Sequence, residues 1–325
     1  MDDLFLGFDT SNYTTSAAIC DRNGRVLANL KCPLPVAEGE RGLRQSDAVF
    51  AHIKNAPDIA RRLRECLREL GGEKALRAAA VSVSPRSAEG SYMPCFLVGR
   101  AIAESVCAVL DIPLYESSHQ HGHIMAAANS ACRNAGIPTR EFISGEHLAL
   151  HVSGGTTDLL HVMPDDDSIF KVERVGGTFD ANAGQIIDRI GVKLGFRFPC
   201  GGELDCRALE YGEKISVGKL SVKELSFNLS GLENKALSMI EKGESQSRVA
   251  AFVLAYIARS LERIVKNARE RYGELPTVFA GGVMSSRYIR SLIGHLGLFA
   301  DAEFSSDNAA GIALIASHIY ASKSL

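Results

Sequence analysis

The sequence predicts an α/β fold built from two related lobes. Apolar stretches of strand length alternate with stretches of helical periodicity along the 325 residues. A strand, a hydroxyl-rich turn and a second strand open the chain at residues 4–20, and the same pattern returns at residues 147–162. Domains typically hold roughly 100–200 residues, so the length also suits two lobes. We therefore expect the two hairpins to face each other across a cleft.

No long linker or low-complexity segment interrupts the chain, so we expect the lobes to pack closely. We predict a first lobe over residues 1–141, joined by a C-terminal helix at residues 306–325, and a second lobe over residues 142–305. Other helices follow from apolar spacings of three and four, and other strands from short apolar runs. They are a helix at residues 56–70, a strand at 78–83, a helix at 96–110, a helix at 249–265, a strand at 276–280 and a helix at 309–321.

Composition and charge exclude several classes of protein. With 36 basic and 38 acidic residues the net charge is −2, too little positive charge for a protein that binds nucleic acid unaided. No stretch approaches the roughly 18 apolar residues of a membrane span, and the acidic start at residues 1–3 is unlike a signal peptide. The 8 cysteines are scattered without CxxC spacing, which argues against a disulfide framework or a zinc ribbon. We expect a soluble cytoplasmic protein with no membrane contact.

The two hairpin turns are candidates for binding phosphate. The first reads Asp-Thr-Ser-Asn-Tyr-Thr-Thr-Ser at residues 9–16, and the second reads Ser-Gly-Gly-Thr-Thr at residues 153–157. Glycine lets a backbone approach phosphate closely, and small polar residues supply N–H and O–H donors. Either turn alone is more often an ordinary turn, but the repeated pattern favours a phosphate site.

A metal site is the next candidate. His119 and His123 lie four residues apart in a segment expected to be helical from Ser117 or Ser118, so they share one helix face and can bind one ion. Two solvated or hydrogen-bonded histidines explain the spacing equally well. A metal would need a third ligand, and Asp307, at the start of the last helix, can be interpreted either as that ligand or as an N-cap.

Two further segments indicate a nucleotide site. Asp188 follows two isoleucines in a predicted apolar helix, where an unpartnered carboxylate is costly, and it could accept hydrogen bonds from ribose hydroxyls. An exposed acid on the outer helix face is the alternative. Gly281 and Gly282, between a strand and a helix, permit close approach of an adenine or a phosphate, although a glycine pair is a weak signal.

Together these segments resemble the TsaD family, the tRNA threonylcarbamoyladenosine transferases once described as O-sialoglycoprotein endopeptidases. The resemblance runs from Gly7 to Ala316, with the blocks in the family's order. It implies the actin-like, sugar-kinase and Hsp70-like ATPase fold, with two duplicated lobes around a nucleotide cleft. It also implies one divalent metal, iron or zinc, held by His119, His123 and Asp307, and an ATP- or AMP-type nucleotide.

The resemblance assigns the binding positions block by block. Residues 152–157 resemble the family's VSGGHT loop, and residues 281–283 resemble its adenosine-side loop. Asp188, Gly201 and Asp205 keep the family's spacings of thirteen and four residues. The substrate- and nucleotide-binding residues implied in this way are Val152, Ser153, Gly154, Gly155, Thr156, Asp188, Gly201, Asp205, Gly281, Gly282 and Ser286.

Several positions depart from the family pattern. The family opens with ETSCDET, and here Tyr13 and Thr14 replace its consecutive acids, which are implicated in the transfer step. His121 replaces a glutamate inside the metal motif, Thr156 replaces the loop histidine and Ser286 replaces an asparagine. We therefore expect a divergent paralogue, with Thr14 and His121 at the catalytic positions and His121 as a replacement base, since imidazole titrates near neutrality.

The resemblance implies transfer of a threonylcarbamoyl group from its AMP mixed anhydride to N6 of the adenosine beside the tRNA anticodon, with the metal as a Lewis acid. tRNA is the implied partner. The net charge of −2 predicts help from proteins of the TsaB or TsaE kind, and the resemblance leaves a dimer open. The lost acidic pair favours two alternatives, carbamoyl transfer to another acceptor and a catalytically silent nucleotide-binding scaffold. Retention of the three metal ligands favours an active enzyme.

Overall fold

The computed structural model describes residues 3–11, 13–35, 43–166, 168–304 and 309–323. Within these residues the chain forms two mixed β-sheets flanked by helices. The first half contains the strands β1 (Leu4–Ser11), β2 (Thr14–Asp21), β3 (Val26–Pro33), β4 (Leu76–Ser84) and β5 (Leu114–Ser118), and the helices α1 (Gln45–Glu69), α2 (Phe96–Leu110), α3 (His119–Ala135) and α4 (Thr139–Ile143). The second half contains the strands β6 (His147–Val152), β7 (Thr157–Asp165), β8 (Ile169–Thr178), β9 (Val222–Lys223), β10 (Ser226–Phe227), β11 (Thr277–Ala280) and β12 (Leu298–Phe299), and the helices α5 (Ala183–Lys193), α6 (Gly201–Tyr211), α7 (Ser230–Glu241), α8 (Gln246–Tyr272), α9 (Arg287–Ile293) and α10 (Ala310–Lys323).

The two sheets repeat one topology. The first has the strand order β3-β2-β1-β4-β5, and the second contains β8-β7-β6-β11-β12 in the equivalent order, with β10 and β9 added beyond β8. In both, the first three strands are antiparallel neighbours, and a later strand pairs in parallel with the other edge of the first strand. The repeat confirms the duplicated α/β fold expected from the sequence.

Most elements predicted from the sequence lie where they were expected. The helix at Phe96–Leu110 and the strand at His147–Val152 have the predicted bounds, because each is a clear apolar pattern ended by turn residues. The helix predicted at residues 56–70 begins earlier, at Gln45. Its first turns bury Ala48, Ala51 and His52, small or polar residues that do not form an apolar stripe.

The last helix, α10, packs against β1 and α3 by close backbone contact. A Cβ atom at Gly7 in β1 would clash with the backbone of Ala313, and one at Gly311 would clash with the carbonyl oxygen of Gly122 in α3. Glycine is therefore required at these crossings, which hold α10 between the first strand and the helix that carries the histidine pair.

A shared apolar core joins the two halves of the molecule. Phe5 from β1, Ile124 from α3 and Ile312 from α10 belong to the same buried cluster as Leu160 and Phe170 from the second sheet. The sheets are therefore fixed against each other, which defines the walls of the cleft between them. In the described part of the chain, no helix combines the length and the apolar character needed to cross a membrane.

Candidate active site

A pocket of about 520 Å³ lies between the two sheets. Ser11 and Tyr13, from the β1–β2 hairpin, line it together with His119 and His123 from α3. The opposite wall comes from the second half of the chain, through His151 at the end of β6 and the loop that follows it. Both hairpin turns therefore border one cavity, which we call the histidine pocket.

His119 and His123 form a pair that faces this pocket. Helix α3 begins at His119 because Ser118 is its N-cap, with its hydroxyl accepting a hydrogen bond from the backbone N–H of His121 at 3.2 Å. The four-residue spacing then puts both imidazoles on one face, with their Nε2 atoms 2.9 Å apart. Two ring nitrogens that converge in this way can both bind one ion.

A buried carboxylate orients the first histidine. Asp9, which is fully buried in β1, accepts a hydrogen bond at Oδ1 from His119 Nδ1 at 3.0 Å and another from the Ser82 hydroxyl. Burial by itself would raise the pKa of Asp9, but the charge and hydrogen bond of His119, together with the hydroxyl, hold this pKa below its ordinary value. When His119 is neutral, donation of its Nδ1–H to Asp9 leaves the lone pair on Nε2, the atom that faces His123.

This arrangement fits the first half of a metal site. A metal-binding histidine usually donates its other N–H to a carboxylate, as His119 does to Asp9. Among the described residues, however, no group of three or more His, Cys, Asp or Glu side chains is arranged to hold a metal. Asp307, the expected third ligand, lies outside the described residues, so the described ligands amount to the two histidines.

A third imidazole lies beside the pair, and the sequence analysis did not single it out. The rings of His123 and His151 are 5.5 Å apart, centre to centre, in an edge-on arrangement. Asp9 and Ser82 were also missed as site residues. The available signal was weak in each case, because Asp9 was assigned only to the hairpin turn, and His151 and Ser82 are polar residues in largely apolar strands that local hydrogen bonding often explains.

His121 lies away from the histidine pocket. It is 2% exposed and its ring packs on Phe170, 4.9 Å away, with the Ser87 hydroxyl 3.4 Å from Nε2. Burial lowers the pKa of His121 to about 4. A residue two positions from His119 on a helix points to the opposite side, so this location does not support its expected role as the replacement base.

The two residues that replace the family's acidic pair have different surroundings. Tyr13 is 45% exposed and lines the histidine pocket. Thr14 is half-buried at the start of β2, where it pairs across the hairpin with Ser11, and it does not line the pocket. The turn is fixed by a hydrogen bond of 2.8 Å from the backbone N–H of Leu34 to the carbonyl of Tyr13.

A second cavity of about 330 Å³ lies in the second half of the molecule, and we call it the nucleotide pocket. Six of the residues expected to bind substrate or nucleotide line it: Gly154, Asp188, Gly201, Asp205, Gly282 and Ser286. Gly281 is not among the described residues that line this pocket. Its φ is 99°, and a side chain there would clash with the carbonyl of Val152. Gly281 and Val152 therefore support the pocket through their backbones.

The two acids of the nucleotide pocket differ in their partners. Asp188 Oδ1 accepts a hydrogen bond from the backbone N–H of Cys200 at 2.8 Å. Asp205 uses both carboxylate oxygens to hold the start of α9, accepting from the Ser286 hydroxyl at 2.5 Å and from the N–H of Tyr288 at 3.0 Å and of Arg287 at 3.2 Å. Asp188 therefore has more capacity left for a ribose.

The glycine loop after β6 separates the two pockets. Ser153, Gly155 and Thr156 line the histidine pocket, whereas Gly154 lines the nucleotide pocket. The loop rests on the first turn of α5, so closely that a Cβ atom at Gly184 would lie 2.6 Å from the nitrogen of Gly154. The N-terminus of a helix favours negative charge, so an anion bound at the loop would be stabilised there.

A duplicated two-sheet fold with a glycine loop between two pockets defines the actin-like, sugar-kinase and Hsp70-like class of proteins. Solved structures share this fold. Component A of the (R)-2-hydroxyglutaryl-CoA dehydratase of Acidaminococcus fermentans has a TM-score of 0.51 at 15% identity, covering 98% of this chain and 99% of that one. The HypF protein of T. kodakarensis has a TM-score of 0.56 at 14% identity, covering 99% of this chain and 48% of that one.

Sequence comparison identifies the family within this class. The model of the TsaD family, tRNA N6-adenosine threonylcarbamoyltransferase, matches residues 46–314. An enzyme of that name from Thermus thermophilus is 31% identical over 318 residues, which cover 96% of this chain and 91% of the relative. The one from Streptococcus sanguinis is 30% identical over 298 residues, covering 89% and 82%. The chain belongs to the TsaD family, as the sequence motifs predicted.

Proposed function

We propose that this chain transfers a threonylcarbamoyl group from threonylcarbamoyl-AMP to N6 of the adenosine beside the anticodon of a tRNA. The observation that carries the proposal is the loop at residues 153–156, which borders both pockets. A mixed anhydride of AMP would need such a loop at its phosphate, with the nucleoside on one side and the acyl group on the other. The names of the relatives support tRNA as the acceptor.

In this proposal the nucleotide pocket holds the adenosine of the donor. The ribose lies near Asp188 and Asp205, and Asp188 is the stronger candidate because its Oδ2 carries no hydrogen bond among the described residues. The phosphate lies at the glycine loop, where backbone N–H groups and the start of α5 provide favourable charge. The acyl group then extends into the histidine pocket.

A divalent ion, iron or zinc, would be held by His119 and His123, with Asp307 as the expected third ligand. When bound, such an ion supplies Lewis-acid polarisation of an acyl or phosphate oxygen. The contribution of the protein is orientation. Asp9 favours the tautomer of His119 with the proton on Nδ1, and this tautomer leaves Nε2 available as a ligand.

During transfer, the N6 amine attacks the carbamoyl carbon. A C–N bond forms while the C–O bond to AMP breaks, and the amine gives up a proton. Tyr13 and Thr14 replace the family's acidic pair here, and neither side chain is a carboxylate. A hydroxyl is a poor acceptor for that proton at neutral pH, so we expect slow transfer to tRNA.

This replacement favours a second candidate function, carbamoyl transfer to an acceptor other than a tRNA adenosine. A silent nucleotide-binding scaffold is the third candidate, and it would keep the nucleotide pocket without the transfer step. In the first two cases we propose a cytoplasmic enzyme. With a net charge of −2, tRNA affinity would depend on partner proteins of the TsaB or TsaE kind.

Incorporation of labelled threonine into tRNA tests the proposal directly. The purified protein is supplied with threonylcarbamoyl-AMP, tRNA and the partner proteins, and the modified nucleoside is quantified after digestion. We expect a product, formed more slowly than by the Thermus thermophilus relative under the same conditions. No product together with intact adenylate binding would favour the other candidates, and loss of both would contradict the proposal.

A further inference from the structure

Tyr13 has an unusual position for an aromatic side chain. It lies at the tip of the β1–β2 hairpin, is 45% exposed and lines the histidine pocket. The backbone N–H of Leu34 donates a hydrogen bond to the carbonyl of Tyr13 at 2.8 Å, and Ser11 pairs with Thr14 across the hairpin. Single exposed apolar residues are ordinary on protein surfaces. An exposed ring that lines a pocket with two converging histidines calls for a more specific explanation.

An exposed cation belongs to the lining of the same pocket. Arg86, in the loop after β4, also lines the histidine pocket and is exposed. Among the described residues, neither the Arg86 guanidinium nor the Tyr13 hydroxyl has a hydrogen-bond or ion-pair partner. The pocket behind them has a mixed wall, with Met93 and Phe96 beside the histidines.

An aromatic ring and an unpaired guanidinium that line one pocket suit one chemical class of ligand, a nucleobase with its flanking phosphate. Proteins hold unpaired bases by stacking them on aromatic rings, while arginine binds the backbone phosphate. A stacked base keeps its edge free, and the exocyclic amine of adenine lies on that edge. A base stacked on Tyr13 could therefore direct its amine into the pocket.

We propose that Tyr13 is the stacking platform for the acceptor adenine, which leaves an RNA loop and enters the histidine pocket with its phosphate bound by Arg86. The inference rests on the proposed function, because it assumes an RNA acceptor. It also gives Tyr13 a positive role, in binding the acceptor, where the family pattern alone shows the loss of an acid.

The protein contains no tryptophan, which makes a direct test available. The substitution Tyr13→Trp places the only tryptophan of this chain at the proposed platform, and stacking with a base quenches its fluorescence. The probe is an anticodon stem-loop RNA with adenine at the acceptor position, compared with the same RNA carrying an abasic site there. Tyr92→Trp is the matched control, since Tyr92 is 63% exposed in the loop of Arg86 but is not among the described residues that line the pocket.

We expect at least a twofold stronger quenching of Tyr13→Trp by the adenine RNA than by the abasic RNA, and equal signals from the two RNAs with Tyr92→Trp. Binding of the RNA is followed separately by anisotropy of a label on the RNA. Binding without base-dependent quenching would overturn the platform and leave tRNA as the acceptor. No binding, with the family partners present, would overturn both the platform and the proposed tRNA substrate.

Affinity gives a second measurement that does not depend on the fluorophore. Tyr13→Ser should weaken binding of the adenine RNA by roughly tenfold, the usual value of one stacked base, and should leave the abasic RNA unaffected. Tyr13→Phe keeps the ring and should bind the adenine RNA far more tightly than Tyr13→Ser. If the two variants behave alike, the ring does not stack on the base.

Discussion

Replacement of Asp9 by asparagine would change the charge beside His119 while keeping the shape of the side chain. The carboxylate now accepts the Nδ1 proton of His119 at 3.0 Å. An amide nitrogen turned toward the ring would need Nδ1 as an acceptor, which moves the proton to Nε2 and removes the lone pair beside His123. An amide oxygen turned toward the ring would keep the tautomer but lose the negative charge.

The expected effect on metal binding follows from this geometry. Loss of the partner of a metal-bound histidine typically lowers affinity about 10- to 100-fold, or about 1.4–2.8 kcal/mol. Asp9 is fully buried, so solvent does not screen its charge, and we expect a value near the upper end of that range for Asp9→Asn.

The affinity is measured by competition with a chelator, using cobalt(II) absorbance as the signal and elemental analysis for stoichiometry. Ser82→Ala is the control, because it removes the hydroxyl bound to Asp9 and leaves the carboxylate beside His119. This control should lose much less affinity than Asp9→Asn. A change of less than twofold in Asp9→Asn, in a protein that remains folded, would refute the argument that Asp9 orients His119.

Three further results are expected. Asp188→Ala should weaken adenylate binding by about 1–3 kcal/mol in calorimetry, and unchanged affinity in a folded protein would count against the nucleotide pocket. Gly184→Ala should lower the free energy of unfolding by about 1–3 kcal/mol, because the new methyl group would lie 2.6 Å from the loop backbone, whereas Gly231→Ala, with no atom within 4 Å, should be neutral or stabilising. The double substitution Tyr13→Asp with Thr14→Glu should raise kcat for threonine incorporation into tRNA, because it restores the acidic pair, and should also raise KM for tRNA, because it removes the ring. Wild-type turnover equal to that of an ordinary family member would show that the missing acids do not limit the reaction.

The sequence predicted the helices and strands whose own residues show a clear apolar pattern. The apolar run at His147–Val152 and the helical stripe at Phe96–Leu110 needed no information from distant residues. The strand at Val26–Pro33 was not predicted, because it is half-buried along most of its length and shows no alternation. The two-residue strand at Ser226–Phe227 is too short for any pattern and is defined by its pairing with β8.

The same distinction applies to the site: relations within one helix could be predicted from the sequence, and contacts between distant residues could not. The spacing of His119 and His123 is a property of one helix, and the same geometry already implied that His121 faces the other side. Asp9 is 110 positions from His119 in the sequence, so their contact depends on the packing of α3 beside the first sheet. The role of Asp205 in holding the start of α9 likewise needed the tertiary structure, since its partners lie more than 80 positions away.

The glycine crossings of α10 make the histidine pair part of a larger cooperative unit. Gly7 lies two residues before Asp9, and Gly122 lies between the two histidines, so both sides of the pair meet α10 through bare backbone. Because no flexible side chain lies at these contacts, a small displacement of α10 would be transmitted directly to the backbone of β1 and α3. Local opening of α10 should therefore disturb the carboxylate and both imidazoles at once. In hydrogen exchange, the amides of β1, α3 and α10 should open together, with one free energy, and added metal should slow all three.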